Sequence, residues 1–351
     1  MSDKGKQTMS RTFDFSRRQF MKVGAAAAAS AAVGGPALLS APAVHAAAAK
    51  PVSFQLSWIK SIQYGGFFAG LENGDFSKFG VDATFVSGGP NIDPIGNVAS
   101  GRSQLGDRPI GPLLIAREKG IPIKVIGTVF QKSPYSVISL ADKPIKSVKE
   151  LKGKTIAVAT SGAPLMRKLI ADSGLSPSDV NIVPSSPDPA ALVSGQIDGY
   201  CGYVTNQGVM LEVRGIKIYS LNAQDLGIPE TTGTIYARED FLKDNKEVVV
   251  NFLKGAKNAW RWALDNPEQT AKLMVDKYGA PGLNYEAQFS EIKASKPYID
   301  VDAGKTKGLL ALDMPLFVKI IEVYRSAGLI KSAMTAEELC DPSYIDAALK
   351  A

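Results

Sequence analysis

Between residues 52 and 237 short strand-like apolar runs alternate with segments of helical period. Residues 52–56, 81–86, 103–105 and 123–130 read as strands, with helices at 66–73, 94–100 and 112–119 between them. Gly74 and Gly120 close two of those helices, and Gly88-Gly89-Pro90 ends the second strand. After Gln131-Lys132-Ser133-Pro134 a second series begins, in which Ser147 caps a short helix to Leu151. Residues 155–159, 199–203 and 217–221 read as its strands, and 164–173, 189–194 and 207–213 as its helices. A strand at 234–237 then gives way to helical periodicity over 247–264, 268–278 and 316–327. This order predicts an α/β fold with mostly parallel sheets. The tail predicts a helical cap on the core, with one of Trp260 and Trp262 packed and the other partly exposed.

The two series echo one another. Val98-Ala99-Ser100-Gly101 corresponds in kind to Leu192-Val193-Ser194-Gly195, and Lys119-Gly120-Ile121-Pro122-Ile123 to Arg214-Gly215-Ile216-Lys217-Ile218. The paired glycines lie 94 and 95 positions apart. A helix–Gly–strand junction is common chemistry, but two matches at one offset point to a duplicated α/β unit.

The first 46 residues have another character. Ser16-Arg17-Arg18-Gln19-Phe20-Met21-Lys22 precedes an Ala/Gly-rich apolar run, and Ala41-Pro42-Ala43-Val44-His45-Ala46 offers small residues for cleavage. The paired arginines resemble those of a twin-arginine leader, and the apolar run is short of a bilayer span. The leader takes six of the 40 Lys and Arg and two of the 34 Asp and Glu, leaving 34 and 32, a formal charge of +2. So balanced a surface carries no electrostatic footprint for nucleic acid or anionic lipid. About 300 residues remain, enough for two modest domains.

His45 is the chain's one histidine and falls inside the leader. A mature chain without histidine has no Ser–His–Asp triad, Cys–His pair or histidine-ligated metal. Cys201 and Cys340 are too few for a four-cysteine zinc or iron–sulfur site. In an oxidising periplasm they pair or stay as buried thiols.

Leu56-Ser57-Trp58, followed by Gly65-Gly66-Phe67-Phe68-Ala69-Gly70-Leu71-Glu72-Asn73-Gly74-Asp75-Phe76, resembles the opening of a known family of binding proteins. That family includes the proteins that bind thiamine pyrimidine precursors and riboflavin, with the aliphatic-sulfonate and nitrate binders as more distant relatives. Gly88-Gly89-Pro90-Asn91-Ile92-Asp93-Pro94, Ala116-Arg117-Glu118-Lys119-Gly120-Ile121-Pro122 and Leu151-Lys152-Gly153-Lys154 continue the likeness, which fades in the tail. It implies a bilobed, type II periplasmic-binding-protein fold: two mixed or parallel sheets flanked by helices, with a helical C-terminal tail. Lobe 1 would take residues 50–131 plus 235–351, and lobe 2 residues 136–229. The crossovers would lie near 131–135 and 227–234, after a cleaved leader at 1–46.

Ligands of such folds sit on loops after strand C-termini, where helix N-termini and free N–H groups converge. On the first loop, Trp58 stacks on a planar heterocycle or packs the lobe, beside Gln63 and Tyr64. Gly88 and Gly89 allow close backbone approach or form a turn. Arg108 clamps an anion or pairs with its neighbour Asp107. In lobe 2 the candidates are Ser161 and Gly162 at a helix opening, and Tyr203, Thr205 and Asn206 after a strand. Gln131, Gly227 and Gly233 are hinge candidates, with Tyr135 and Thr232 beside them.

The expectation is a non-catalytic, monomeric periplasmic protein without cofactor or metal. It would hand a small molecule, a thiamine-precursor pyrimidine or related nitrogen heterocycle, to an ABC permease and its ATPase. Its other partner would be the twin-arginine export machinery, and nucleic acid is not among its partners. An aliphatic sulfonate, nitrate-like or other small organic anion is the alternative ligand, and sensing for a membrane receptor the alternative role. Fungal relatives that make the thiamine pyrimidine consume their own histidine, six positions after the Trp of the first loop. Tyr64 stands at that position here, and their cysteine-rich motif is absent. An exported cofactor oxidoreductase lacks support from any nucleotide loop or metal-ligand cluster.

Overall fold

The computed structural model describes residues 48–350 apart from Pro90 and Ser161; the leader and the candidate Ser161 lie outside the described residues. Ten strands form two five-stranded sheets. The first has the order β2-β1-β3-β10-β4, from β1 (Lys50–Gln55), β2 (Val81–Val86), β3 (Leu105–Arg108), β4 (Ile123–Phe130) and β10 (Thr232–Arg238). The second runs β7-β6-β8-β5-β9, from β5 (Tyr135–Leu140), β6 (Thr155–Val158), β7 (Asn181–Pro184), β8 (Gly199–Tyr203) and β9 (Ile218–Asn222).

The two sheets share one topology. In each, four strands run the same way, and one antiparallel strand is inserted beside the fourth: β10 in the first sheet, β5 in the second. The first sheet's inserted strand, β10, returns after all the strands of the second, whereas β5 leads directly from β4 into the second sheet. Gly101 and Gly195 occupy equivalent left-handed positions (φ 76° and 73°), as do Gly120 and Gly215 (φ 81° and 78°). The constant sequence offset is thus matched by a repeated strand order.

The first core explains the glycine-rich opening motif. Phe54, Phe67, Phe85 and Phe252 form a connected aromatic cluster, with Phe54 and Phe252 stacked at 5.7 Å. The helix Gly65–Glu72 lies against the helix Lys246–Asp265, which is amphipathic over 20 residues. A Cβ at Gly66 would fall inside the Trp260 indole, so only glycine lets the two helices approach so closely. Trp260 is buried and Trp262 half-buried.

The tail is more than a cap. Cys340 bridges to Val125 and Leu310 to Thr128 beside β4, so the C-terminal segment closes the first sheet. The helix Tyr285–Ile299 packs against the helix Val209–Val213 of the second unit and also against the first-unit loop Ile62–Tyr64. Ile62 N donates to Gln288 Oε1 at 2.8 Å, and Asn206 Nδ2 donates to Glu291 Oε2 at 2.7 Å. One helix therefore holds both units. Cys201 and Cys340 are buried free thiols.

Candidate functional site

A cavity of about 640 Å³ lies between the two sheets. Its walls come from the ends of β3 and β8, the loops after β1 and β6, the segment before β10 and the tail. Its size suits a small organic solute with most of its surface buried.

The first loop is built around Ser57. Its backbone N donates to Asp107 Oδ1 and its Oγ to Oδ2, both at 2.8 Å, so the loop after β1 is fastened to the end of β3. Trp58 N donates to the Tyr64 hydroxyl at 2.9 Å, and that hydroxyl also lies 3.0 Å from Ser57 Oγ. Tyr64 and Asp107 are buried and stand behind the cavity wall, where they fix the residues that face it. Neither is among the residues that line this cavity. Burial pushes the Asp107 carboxyl up to about 6 against the pull of the Ser57 hydrogen bonds and Arg108.

Gly88 is also a support. Its N donates to Trp58 O at 2.9 Å, and a Cβ there would collide with the backbone of Leu56 to Trp58. Gly89, Trp58 and Gln63 do line the cavity.

Arg108 faces the cavity at the end of β3. Its Nε is buried and has no hydrogen-bond partner, and no carboxylate among the described residues stands within ion-pair distance of it. The neighbour Asp107 is engaged by Ser57 instead. Because Arg108 lines the cavity without an ion-pair partner, its guanidinium is the cation on this wall that an acceptor from a ligand could meet.

On the opposite wall Gly162, Tyr203 and Asn206 line the cavity, whereas Thr205 is buried and not among its lining residues. The Tyr203 hydroxyl lies 2.5 Å from Thr232 Oγ1, across the gap between the two sheets. Tyr135 and Cys201 also reach the cavity. Burial pushes the Cys201 thiol up to about 12, so it is protonated and a poor nucleophile at neutral pH.

Glu230 was not read from the sequence. It lines the cavity just before β10, with Ser133 Oγ donating to its Oε2 at 3.4 Å and the Tyr324 hydroxyl beside it. Burial pushes its carboxyl up to about 7, the two hydroxyls pulling the other way. Its signal was a lone charge within the otherwise uncharged crossover Gly227-Ile228-Pro229-Glu230-Thr231-Thr232. Tyr324 and Leu329 add a tail wall that the sequence reading also missed.

The hinge candidates separate. Gln131 is buried, its Nε2 donating to the carbonyls of Thr128 and Ala311, so it anchors the end of β4. Gly233, a hinge candidate, lies inside β10, between Thr232, which pairs with Phe130, and Thr234, which pairs with Thr128. Gly227 sits in the turn after β9 with φ 74°. Among the described residues no group of three or more His, Cys, Asp or Glu side chains is arranged to hold a metal ion.

Residues 61–270 match the family model described as NMT1/THI5 like. The chain belongs to that family. Residues 14–34 match the twin-arginine translocation pathway signal sequence, so the protein is exported to the periplasm. The riboflavin-binding protein RibY of Chloroflexus aurantiacus is 24% identical over 82% of this chain and 84% of its own length. The formylaminopyrimidine-binding protein of Halalkalibacterium halodurans is 24% identical over 65% and 71%. The family also holds enzymes: the 4-amino-5-hydroxymethyl-2-methylpyrimidine phosphate synthase of Schizosaccharomyces pombe is 25% identical over 63% and 68%. Among solved structures, the periplasmic aliphatic sulphonate binding protein SsuA of Escherichia coli superposes with a TM-score of 0.65 at 15% identity, covering 82% of this chain and 91% of that one. The shared fold is that of a type II periplasmic binding protein.

Proposed function

We propose that the mature protein is a non-catalytic solute-binding component of an ABC-type importer. It captures a planar nitrogen heterocycle, of the pyrimidine-precursor kind, in the cavity between its two units. The observation that carries this is the cavity itself. It is lined from both sheets, with the Trp58 indole on one side, Tyr203 on the other and a carboxylate, Glu230, at the crossover. An indole offers a stacking face, and a carboxylate accepts two N–H groups from an amino-heterocycle edge.

Three features favour binding over turnover. No histidine remains after the leader, and Cys201 keeps its proton. Asp107 is occupied by Ser57 and shielded from the cavity. The two units would act as lobes that close on the solute, bending at 131–134 and 228–231, and the closed surface would be what the permease reads. Arg108 sustains a second reading, in which a small organic anion is the cargo.

Thermal-shift screening of the purified mature protein with aminopyrimidines, flavins, alkanesulfonates and nitrate tests both. A true ligand at 100 times its Kd stabilises the folded state by about 2.7 kcal/mol. Sustained chemical conversion of any of these compounds by the purified protein refutes the non-catalytic reading.

A further inference from the structure

Of the residues lining the cavity, Arg108 and Glu230 are the two with formal charge. They are not paired with one another, and each is held where it is by separate structure. Arg108 ends β3, opposite Thr234 of β10 in the ladder. Glu230 stands four residues before Thr234, just ahead of the strand, and its neighbour Thr231 accepts at its carbonyl from Ile110 N at 3.2 Å. The Tyr203 hydroxyl is pushed up chiefly by burial and further by Glu230, while Thr232 and Arg108 pull it down.

The remaining walls are largely apolar, with Ile115, Leu165, Met166 and Leu169 among them. A cavity of about 640 Å³ exceeds what one unsubstituted six-membered ring fills. Arg108 has no ion-pair partner among the described residues and its buried Nε has no acceptor, whereas Glu230 accepts from Ser133. Unpaired charge of this kind is costly unless a ligand completes it.

We infer that the natural solute is an amphoteric heteroaromatic acid: a planar ring whose N–H donor edge meets Glu230 and whose acidic substituent meets Arg108. This rests on the heterocycle reading above and narrows it. A neutral heterocycle leaves Arg108 open, and a ring-free anion leaves Glu230 and Trp58 unused. A ring bearing both groups satisfies both ends and draws the two walls onto one molecule. Recognition of the acid requires the guanidinium fork, so lysine at position 108 retains the charge and loses the bidentate geometry.

The test uses a matched pair, 4-aminopyrimidine-5-carboxylate and its neutral carboxamide, with ethanesulfonate as the ring-free anion. Calorimetric titration of the mature protein should show the acid bound on the order of 30-fold tighter than the amide. In Arg108→Gln that gap should collapse, and in Arg108→Lys part of it should survive. Glu230→Gln should weaken acid and amide alike, and the melting temperature of each empty variant shows whether it has folded. Equal binding of acid and amide by the wild type, or a preference that persists in Arg108→Gln, overturns the inference and leaves the heterocycle reading standing. Binding of ethanesulfonate with both pyrimidines silent overturns the heterocycle reading itself, and silence toward all three overturns both.

Discussion

Glu291→Gln should make the protein more stable in mild alkali and leave it unchanged in acid. Glu291 sits on the helix that holds both units together, 2% exposed, with Asn206 Nδ2 donating to its Oε2 at 2.7 Å. Burial pushes its carboxyl from an ordinary 4.5 up to about 8, the Asn206 hydrogen bond opposing the rise. The folded protein therefore keeps a proton that the unfolded chain releases between those values. Below 4.5 both states are protonated and the group contributes no pH dependence. As pH rises to about 8 the unfolded state binds fewer protons than the folded one, so stability falls.

At about 1.4 kcal/mol per pH unit, the whole interval is worth about 5 kcal/mol. Glutamine keeps an oxygen to accept from Asn206 and has no proton to lose. Glu230 and Asp107, raised to about 7 and about 6, carry the same sign but remain in both proteins. The informative quantity is thus the difference between wild type and variant, measured by urea unfolding from pH 4 to pH 9. That difference should be near zero at the acid end and grow to several kcal/mol in favour of the variant. For a chain of this size, each kcal/mol corresponds to about 2 °C or somewhat more in Tm. A difference that stays flat across the range would mean that the folded protein ionises Glu291 at the usual pH, and the reasoning fails.

Trp58→Ala should weaken a planar ligand by about 1–3 kcal/mol and a small inorganic anion hardly at all, as read by calorimetry; equal losses would show the indole is wall and no stacking face. Gly88→Ala should cost about 1–3 kcal/mol of stability through collision with the Leu56–Trp58 backbone, and lower affinity as well; a wild-type melting temperature contradicts the close approach. Small-angle scattering should show a smaller radius of gyration when a saturating ligand is present, because solute bridging both walls favours the closed state. An unchanged radius removes the hinge role from the 131–134 and 228–231 segments and from Gly227.

The strands were legible where burial follows the sequence pattern. β4 and β8 stand where apolar alternation and flanking turns place them, at Ile123–Phe130 and Gly199–Tyr203. The duplication was legible because helix-end glycines must recur wherever the same αβ junction recurs. β5 was not legible: Ser133-Pro134 reads as a turn, and the strand belongs to the sheet that follows in sequence, a partnership only the tertiary fold reveals. β7 is an edge strand with no fully buried residue, so it lacks the apolar signature of the others.

Recognition and packing were entangled in the residues nearest the cavity. Tyr64, Gly88 and Asp107 sit beside Trp58 and Arg108 in sequence and carry suitable chemistry, yet their polar atoms are spent on the loop itself. Sequence can nominate a loop, but which side chains face out of it depends on hydrogen bonds between the ends of β1 and β3, separated by 50 positions. The helix Tyr285–Ile299 was hidden for a complementary reason. Its buried face carries Gln288, Glu291 and Ser295 along with Ile292, and Pro297 interrupts it, so hydrophobic periodicity is weak where contact is greatest. Those polar residues are buried because the helix must meet backbone and side-chain donors from two units at once, at Ile62 N and Asn206 Nδ2. A purely apolar face there would bury those donors without partners, at a cost of about 1–3 kcal/mol each. The feature that made this helix unreadable by pattern is the one by which it joins the two units.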